Sequence, residues 1–186
     1  VRARSITVSA FGLREGLLLE MAGAKETSAG DPLQLFREFA EHCQSDRKHV
    51  EQVRTLALQL YDQLGKELGC GPEERLLLEA AGLLHDAGQL VSYRKHHKHS
   101  YELLTHAERL GLPARERGLV ALVSRYHRKT GPSRKHAEFA ALPPEDQAIV
   151  RRLSGLLRVA DGLDRGHTAA VEDATTELSR DALTIR

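Results

Sequence analysis

The sequence predicts an all-α protein, and three observations predict it. Apolar residues recur at three- and four-residue steps along most of the chain of 186 residues. Aromatic residues make up only 4% of the composition and Trp is absent, whereas strands usually use more aromatic and β-branched side chains. A hydrophobic content of 41% is enough for a packed core. We therefore expect a helical bundle with an aliphatic core.

Strand-like alternation occurs only at the two ends of the chain. Residues 4–10 place Ile6 and Val8 on one face, and residues 182–186 also have the pattern of a strand. Neither stretch has an evident partner in the sequence, and a lone strand cannot satisfy its hydrogen bonds. The sequence therefore predicts a fragment of a longer protein, with short strands at both ends left over from neighbouring domains.

Six helices are predicted between these ends. Asp31 and Pro32 open the first, because a capping acceptor precedes a proline at the first helical position. The second runs from about Asp46 to Leu68, and Gly69 suits the left-handed position that ends a helix. The remaining four are expected from Pro72 to a stop at Gly88, from Ser100 to Leu110, from Pro113 to Lys129 and from Pro144 to Leu163.

Composition excludes several classes of function. A net charge of +1 gives no overall attraction to nucleic acid or to an anionic membrane. Scarce aromatics also argue against a groove for single-stranded nucleic acid. Two cysteines, Cys43 and Cys70, indicate a reducing compartment. No apolar run approaches the roughly 20 residues that span a bilayer. We therefore expect a cytoplasmic protein.

The most informative motif is His85-Asp86, at the end of a strongly apolar stretch that should form a buried helix. His49 lies on another amphipathic helix, and Asp161 occupies a position on a third helix that should be apolar. Burying an unpaired carboxylate is costly, so a cation is one explanation for Asp161. Four candidate ligands on three helices predict a metal site.

Two further histidines extend this site. His127 shares a helix face with Val120 and Val123, and His96 is expected just before the next helix begins. Imidazole and carboxylate ligands suit Mn, Fe, Co, Ni or Zn, with Mg possible. The alternatives are ordinary hydrogen-bonded histidines at the core boundary, and an ion pair of Asp161 with Arg158 or Arg165. His97, His99 and His106 are expected behind the ligands or on the surface.

The order His49, His85-Asp86, Asp161 on a helical frame resembles the HD superfamily of metal-dependent phosphohydrolases, in which these positions hold one divalent ion. Two-metal members use extra histidines like those at positions 96 and 127. The stretches 83–88, 96–100, 125–129 and 157–165 are similar to the C-terminal helical region of the exopolyphosphatase and guanosine pentaphosphatase (Ppx/GppA) family. Residues 6–16 resemble the end of that family's second actin-like domain.

This resemblance implies a division of the chain. Residues 1–24 would end a truncated actin-like domain, residues 31–166 would form an HD-domain-like helical bundle that binds metal, and residues 167–186 would begin a truncated C-terminal region. The family hydrolyses polyphosphate in a cleft between two N-terminal actin-like domains. Because the residues that form this cleft are absent from the 186 residues, the fragment alone is expected to lack the polyphosphate-hydrolysing activity.

The predicted function is a metal-dependent phosphohydrolase that holds one or two divalent ions, with His85 and Asp86 as catalytic residues. Its substrate would be polyphosphate or a phosphorylated nucleotide. The alternatives are a non-catalytic module with a structural metal, for polyphosphate binding or dimerisation, and a nucleotide-sensing regulatory domain. A homodimer is expected from the unpaired strands and from the apolar surface of Leu33, Leu35, Phe36 and Phe39. A basic cluster predicts phosphate binding, with a solvated face as its alternative: Lys98, Arg125, Arg128, Lys129, Arg134 and Lys135.

Overall fold

The computed structural model describes residues 31–179 and 182–186. Within them the all-α prediction is confirmed, and the predicted strand at residues 4–10 and the predicted actin-like segment 1–24 lie outside this part. The described helices, in chain order, are α1 (Pro32–His42), α2 (Arg47–Leu64), α3 (Glu74–Leu84), α4 (His96–Thr105), α5 (Ala114–Arg125), α6 (Ala137–Ala140) and α7 (Pro144–Leu163). Two 3₁₀ helices, Ala87–Leu90 and Glu108–Leu110, stand before and after α4.

Helix α2 begins at a side-chain cap. The carboxylate of Asp46 accepts hydrogen bonds from the backbone N–H groups of Lys48 at 3.0 Å and His49 at 3.3 Å, which satisfies donors that a helix start leaves open. The predicted end at Leu68 was wrong, because α2 stops at Leu64 and the chain then forms turns. Gly69 does adopt the predicted left-handed conformation, with φ of +70°.

Helix α3 is the centre of the bundle and is buried along most of its length. A Cβ added to Gly82 would lie 2.9 Å from the Cα of Arg54. Only glycine therefore allows the backbones of α2 and α3 to cross this closely. The same crossing is closed by an ion pair at 2.6 Å between Arg54 and the buried Glu79.

The sequence predicted that α3 ends at Gly88, and this prediction was wrong. The helix stops at Leu84, and Gly88 lies inside the 3₁₀ helix Ala87–Leu90. A Cβ at Gly88 would meet the carbonyl oxygen of His96 at 2.2 Å and the backbone nitrogen of Ser100 at 2.3 Å. The glycine is therefore needed for the close approach of α4 to the end of α3.

Helix α4 begins at His96, four residues earlier than the predicted start at Ser100. Lys95 adopts a left-handed conformation immediately before it, with φ of +64°. Ser100 lies inside the helix, where its Oγ donates to the carbonyl of His85 at 2.6 Å and accepts from the N–H of Gly88 at 2.9 Å. His96 is therefore a helical residue and not part of the preceding loop.

The core is aliphatic and extends into α1. Phe36 is fully buried, and Leu33 and Phe39 pack against the core while half-buried. Leu35 is half-buried as well. The apolar surface from which the sequence predicted a dimer is thus largely used inside the domain. The homodimer stays a prediction without this support.

The C-terminal strand does have a partner, contrary to the sequence prediction. Strands β1 (Thr176–Leu178) and β2 (Leu183–Ile185) pair antiparallel, with Thr176 opposite Ile185. The amide of Gln63 on α2 accepts from the N–H of Thr176 at 2.8 Å and donates to the carbonyl of Ala174 at 2.7 Å. The hairpin is therefore attached to α2, while the predicted domain boundary after residue 166 stays a prediction.

Candidate metal centre

The six predicted ligands come from the ends of five helices and lie together at one place in the domain. The six residues lie at or next to helix ends, five are buried and the sixth is half-buried. They are His49 in the first turn of α2, His85 and Asp86 directly after α3, His96 at the start of α4, His127 shortly after α5 and Asp161 in the last turn of α7.

The first group of ligand atoms, which we name the His49 cluster, comprises His49, His85, Asp161 and the Oδ2 atom of Asp86. The Nε2 atom of His49 lies 3.4 Å from Asp161 Oδ1 and 3.8 Å from Asp86 Oδ2. The Nε2 atom of His85 lies 3.8 Å and 3.6 Å from the same two oxygens. Two imidazole nitrogens thus face two carboxylate oxygens.

The second group, the His96 cluster, comprises His96, His127 and the Oδ1 atom of Asp86. Asp86 Oδ1 lies 3.1 Å from the Nε2 atom of His96 and 3.8 Å from that of His127. The two Nε2 atoms are themselves 3.2 Å apart. Asp86 therefore presents one carboxylate oxygen to each cluster, which is the arrangement of a bridging ligand.

The hydrogen bonds of the four histidines fix which ring nitrogen faces the centre. The Nδ1 atoms of His85, His96 and His127 lie 2.8, 3.1 and 2.6 Å from backbone carbonyl oxygens, and Nδ1 of His49 lies 2.9 Å from a carboxylate oxygen of Asp164. These oxygens can only accept, so each Nδ1 carries the proton. In the neutral ring, each Nε2 then has a free lone pair directed at the centre.

These lone pairs fit a metal ion. Among the described residues, the Nε2 atoms of His49 and His85 are buried without a hydrogen-bond partner. The facing Nε2 atoms of His96 and His127 would repel each other unless a cation or a proton lay between them. Imidazoles oriented through Nδ1, together with carboxylates, are the usual surroundings of a transition-metal ion.

The electrostatics keep the shared carboxylate charged. Burial by itself would raise the pKa of Asp86, but the neighbouring imidazoles of His85, His96 and His127 hold this pKa far below its usual range. Burial lowers the pKa of His127 to about 3, and the neighbouring His85 adds to this effect. An anionic Asp86 and a neutral His127 are the forms that bind metal.

Asp164 is a functional residue that the sequence analysis missed. It is buried, and it accepts from Nδ1 of His49 at 2.9 Å and from the N–H of Ala169 at 2.8 Å. Burial opposes a charged His49, yet the nearby carboxylates of Asp161 and Asp164 raise its pKa. The signal available was the three-residue spacing of Asp161, in the last turn of α7, and Asp164, directly after that helix.

The surroundings of Asp161 argue against its ion pair with an arginine. Arg158 donates instead to the backbone carbonyls of Tyr126 at 3.1 Å and Lys129 at 3.0 Å, which ties the end of α5 to α7. The side chain of Asp161 is 28% exposed, so the centre reaches solvent there. An exposed His167 stacks on the ring of His49 at 3.7 Å between centroids.

The other histidines take the positions expected of them. His97 is buried and has ring contacts with His96 and His127, with centroid distances of 6.2 and 6.4 Å. Burial lowers its pKa to about 4, and the neighbouring His96 has the same effect. His99 is half-buried and His106 is exposed.

The predicted phosphate-binding residues do not form one cluster around the centre. Arg128 lies beside it, with a guanidinium nitrogen 3.2 Å from Nε2 of His96. Arg125 points to other partners, because it pairs with Glu138 at 3.0 Å and lies over the ring of Tyr101. The remaining four are exposed: Lys98, Lys129, Arg134 and Lys135. Their phosphate-binding role stays a prediction.

The fold and the comparison with protein families define the class of this chain. Residues 35–186 match the family model described as Ppx/GppA phosphatase, domain III. The chain therefore belongs to the Ppx/GppA phosphatase family, and the resemblance seen in the sequence is confirmed.

Two relatives of this chain have the name guanosine-5'-triphosphate,3'-diphosphate pyrophosphatase. The protein from Pseudoalteromonas atlantica is 29% identical over 84% of this chain and 31% of its own length. The Vibrio vulnificus protein is 28% identical over 97% of this chain and 36% of its own length. The chain thus spans about a third of the length of these relatives. In the described part of the chain, no helix is long and apolar enough to cross a membrane.

Proposed function

We propose that this domain binds one or two divalent ions at the His49 and His96 clusters and hydrolyses a phosphoester bond there. The observation that supports this most is the common orientation of four imidazoles, each with Nδ1 hydrogen-bonded and Nε2 directed at the shared carboxylate. Mixed nitrogen and oxygen ligands favour Mn, Fe, Co, Ni or Zn, and Mg is possible.

The proposed ligands would be divided between two ions. His49, His85, Asp161 and one oxygen of Asp86 would hold the first, while the second cluster would use the other oxygen of Asp86. A bound metal ion supplies a Lewis acid for a phosphoryl oxygen and lowers the pKa of bound water. Burial of five of the six proposed ligands preserves the strength of charge interactions at the centre.

A phosphorylated substrate would reach the centre from the exposed edge of Asp161. Arg128, beside His96, is the cation best placed to meet a phosphoryl oxygen. The exposed Lys98, Lys129, Arg134 and Lys135 would attract a longer anion through charge that salt can screen. We therefore propose that polyphosphate binds to this surface and that hydrolysis acts on a small phosphoester or nucleotide.

For the longer protein, we propose an exopolyphosphatase-like phosphohydrolase of the polyphosphate and guanosine pentaphosphate class. The name of the relatives, a guanosine nucleotide pyrophosphatase, supports a phosphorylated nucleotide as its substrate. The ligands of the helical centre all lie in the present chain. Its reaction is therefore expected without the actin-like domains.

The test is metal analysis followed by a phosphate-release screen. The chain, purified without chelator, is expected to carry one or two transition-metal ions, and Mn or Zn should raise its melting temperature. A panel of nucleotides and small phosphoesters should release phosphate only with metal. His85→Ala should abolish turnover but leave salt-sensitive polyphosphate binding unchanged. The exposed His106→Ala is the matched control and should keep both.

The proposal of a metal centre would be refuted if the chain bound no metal and gained no thermal stability from Mn or Zn. Bound metal without phosphate release from any substrate would refute the catalytic proposal. If polyphosphate still bound in that case, the chain would be a non-catalytic binding module.

A further inference from the structure

Tyr93 is an aromatic side chain at the edge of the proposed metal centre. Its side chain is 71% exposed, while the other aromatic residues of the described chain are buried or half-buried. The ring lies 5.5 Å from that of His96 and 6.0 Å from the guanidinium carbon of Arg128. An exposed ring thus lies beside both a proposed ligand and a cation.

The backbone fixes this ring relative to the centre. The carbonyl oxygen of Tyr93 accepts from Nδ1 of His96 at 3.1 Å, the bond that directs Nε2 of His96 toward Asp86. The preceding loop is tied back by N–H bonds from Val91 and Ser92 to the carbonyl of Gly88. The backbone of Tyr93 is therefore held beside the His96 cluster, and its ring is exposed there.

Exposure of an aromatic ring has a cost unless the ring has a partner, since its apolar surface is left in water. A nucleobase is a suitable partner, because base and ring stack face to face without a requirement for sequence. The neighbouring cation, Arg128, suits the phosphates of the same molecule. A single exposed ring accommodates one base, which favours a mononucleotide over a nucleic-acid strand.

We propose that Tyr93 stacks on the base of a nucleotide whose phosphates reach Arg128 and the metal clusters. The proposal rests on the proposed function and makes that site selective for phosphorylated nucleotides over phosphate compounds without a base. Tyr93 would be a specificity residue that contacts the substrate but takes no part in bond cleavage.

The test compares two ligands that differ by a nucleoside. Guanosine diphosphate and inorganic pyrophosphate are titrated calorimetrically into the Mn-loaded chain and its variants. Removal of a stacking ring typically costs about 5- to 100-fold in affinity per base. Tyr93→Ala should weaken the binding of guanosine diphosphate by this factor. It should change the affinity for pyrophosphate by less than about twofold. Tyr93→Trp should retain nucleotide affinity.

Val91→Ala is the matched control, because Val91 is 58% exposed in the same loop and has no ring. It should leave both affinities unchanged. The proposal would be overturned if Tyr93→Ala weakened the binding of both ligands equally. It would also be overturned if this variant bound guanosine diphosphate as tightly as the wild type. A Val91→Ala effect on guanosine diphosphate as large as that of Tyr93→Ala would overturn it as well.

Phosphate release from the same samples separates this proposal from the proposed function. Nucleotide binding that depends on Tyr93 without any phosphate release would support stacking and refute catalysis. Hydrolysis that discriminates neither nucleotides from other phosphoesters nor wild type from Tyr93→Ala would support catalysis and refute stacking.

Discussion

The His49 and His96 clusters share Asp86 but differ in charge. Besides that carboxylate, the His49 cluster has the carboxylate of Asp161, and Asp164 lies behind His49. The His96 cluster has imidazoles that donate to neutral backbone carbonyls, and Arg128 lies 3.2 Å from one of them.

More negative ligands and a charged acceptor behind a histidine both strengthen cation binding. We therefore expect the two clusters to differ in metal occupancy. We expect the His49 cluster to bind an ion more tightly and the His96 cluster to exchange its ion more readily. A sequence pattern of six ligands cannot give this order, because the order depends on which oxygen faces which nitrogen.

The largest effect is expected from the residue that the clusters have in common. Asp86→Ala removes the oxygen on both sides, so neither cluster should retain an ion. Elemental analysis after gel filtration measures the metal content. Asp62→Ala, a change at an ion pair with Arg75 on the surface, is the control and should keep full occupancy. Retention of both ions by Asp86→Ala would refute the bridging arrangement.

A smaller effect, confined to the His96 cluster, is expected from Gly88→Ala. The added Cβ would press on the backbone of α4 at His96 and Ser100, and such overpacking typically costs about 1–3 kcal/mol of unfolding free energy. Displacement of α4 should remove the weaker ion and leave the His49 cluster occupied. Chemical denaturation and metal titration measure the two effects.

Gly155→Ala on α7 is the control for this substitution, because a Cβ added at Gly155 would meet no described atom within 4 Å. It should keep both ions. Equal stability of the two variants would contradict the close approach of α4 to Gly88.

The smallest effect is expected from Asp164→Ala, which leaves every proposed ligand in place. It removes the acceptor that orients His49, and loss of such a partner typically weakens metal affinity about 10- to 100-fold. Competition with a chelator should show this loss for the tighter ion only. Asp173→Ala, an exposed acid, is the control. A loss confined to the weaker ion would reverse the assigned order.

The sequence was informative wherever the periodicity of apolar residues was strong. It predicted the long helices α2 and α7, because their apolar stripes persist over several turns. It failed at the start of α4, where His96 and its polar neighbours have no apolar stripe and Lys95 in a left-handed conformation begins the helix. Helix boundaries of this kind depend on a backbone conformation that composition does not specify.

The all-α class and the six residues of types suited to metal could be predicted from the sequence, and the folded domain brings those six residues together. Their role as ligands remains a prediction. Three features could not be predicted and depend on the fold: Asp86 faces both clusters, Asp164 lies behind His49, and β2 pairs with β1. The physical reason is that helical periodicity fixes which face of a segment is buried. The atoms that meet across faces depend on close contacts such as those at Gly82 and Gly88.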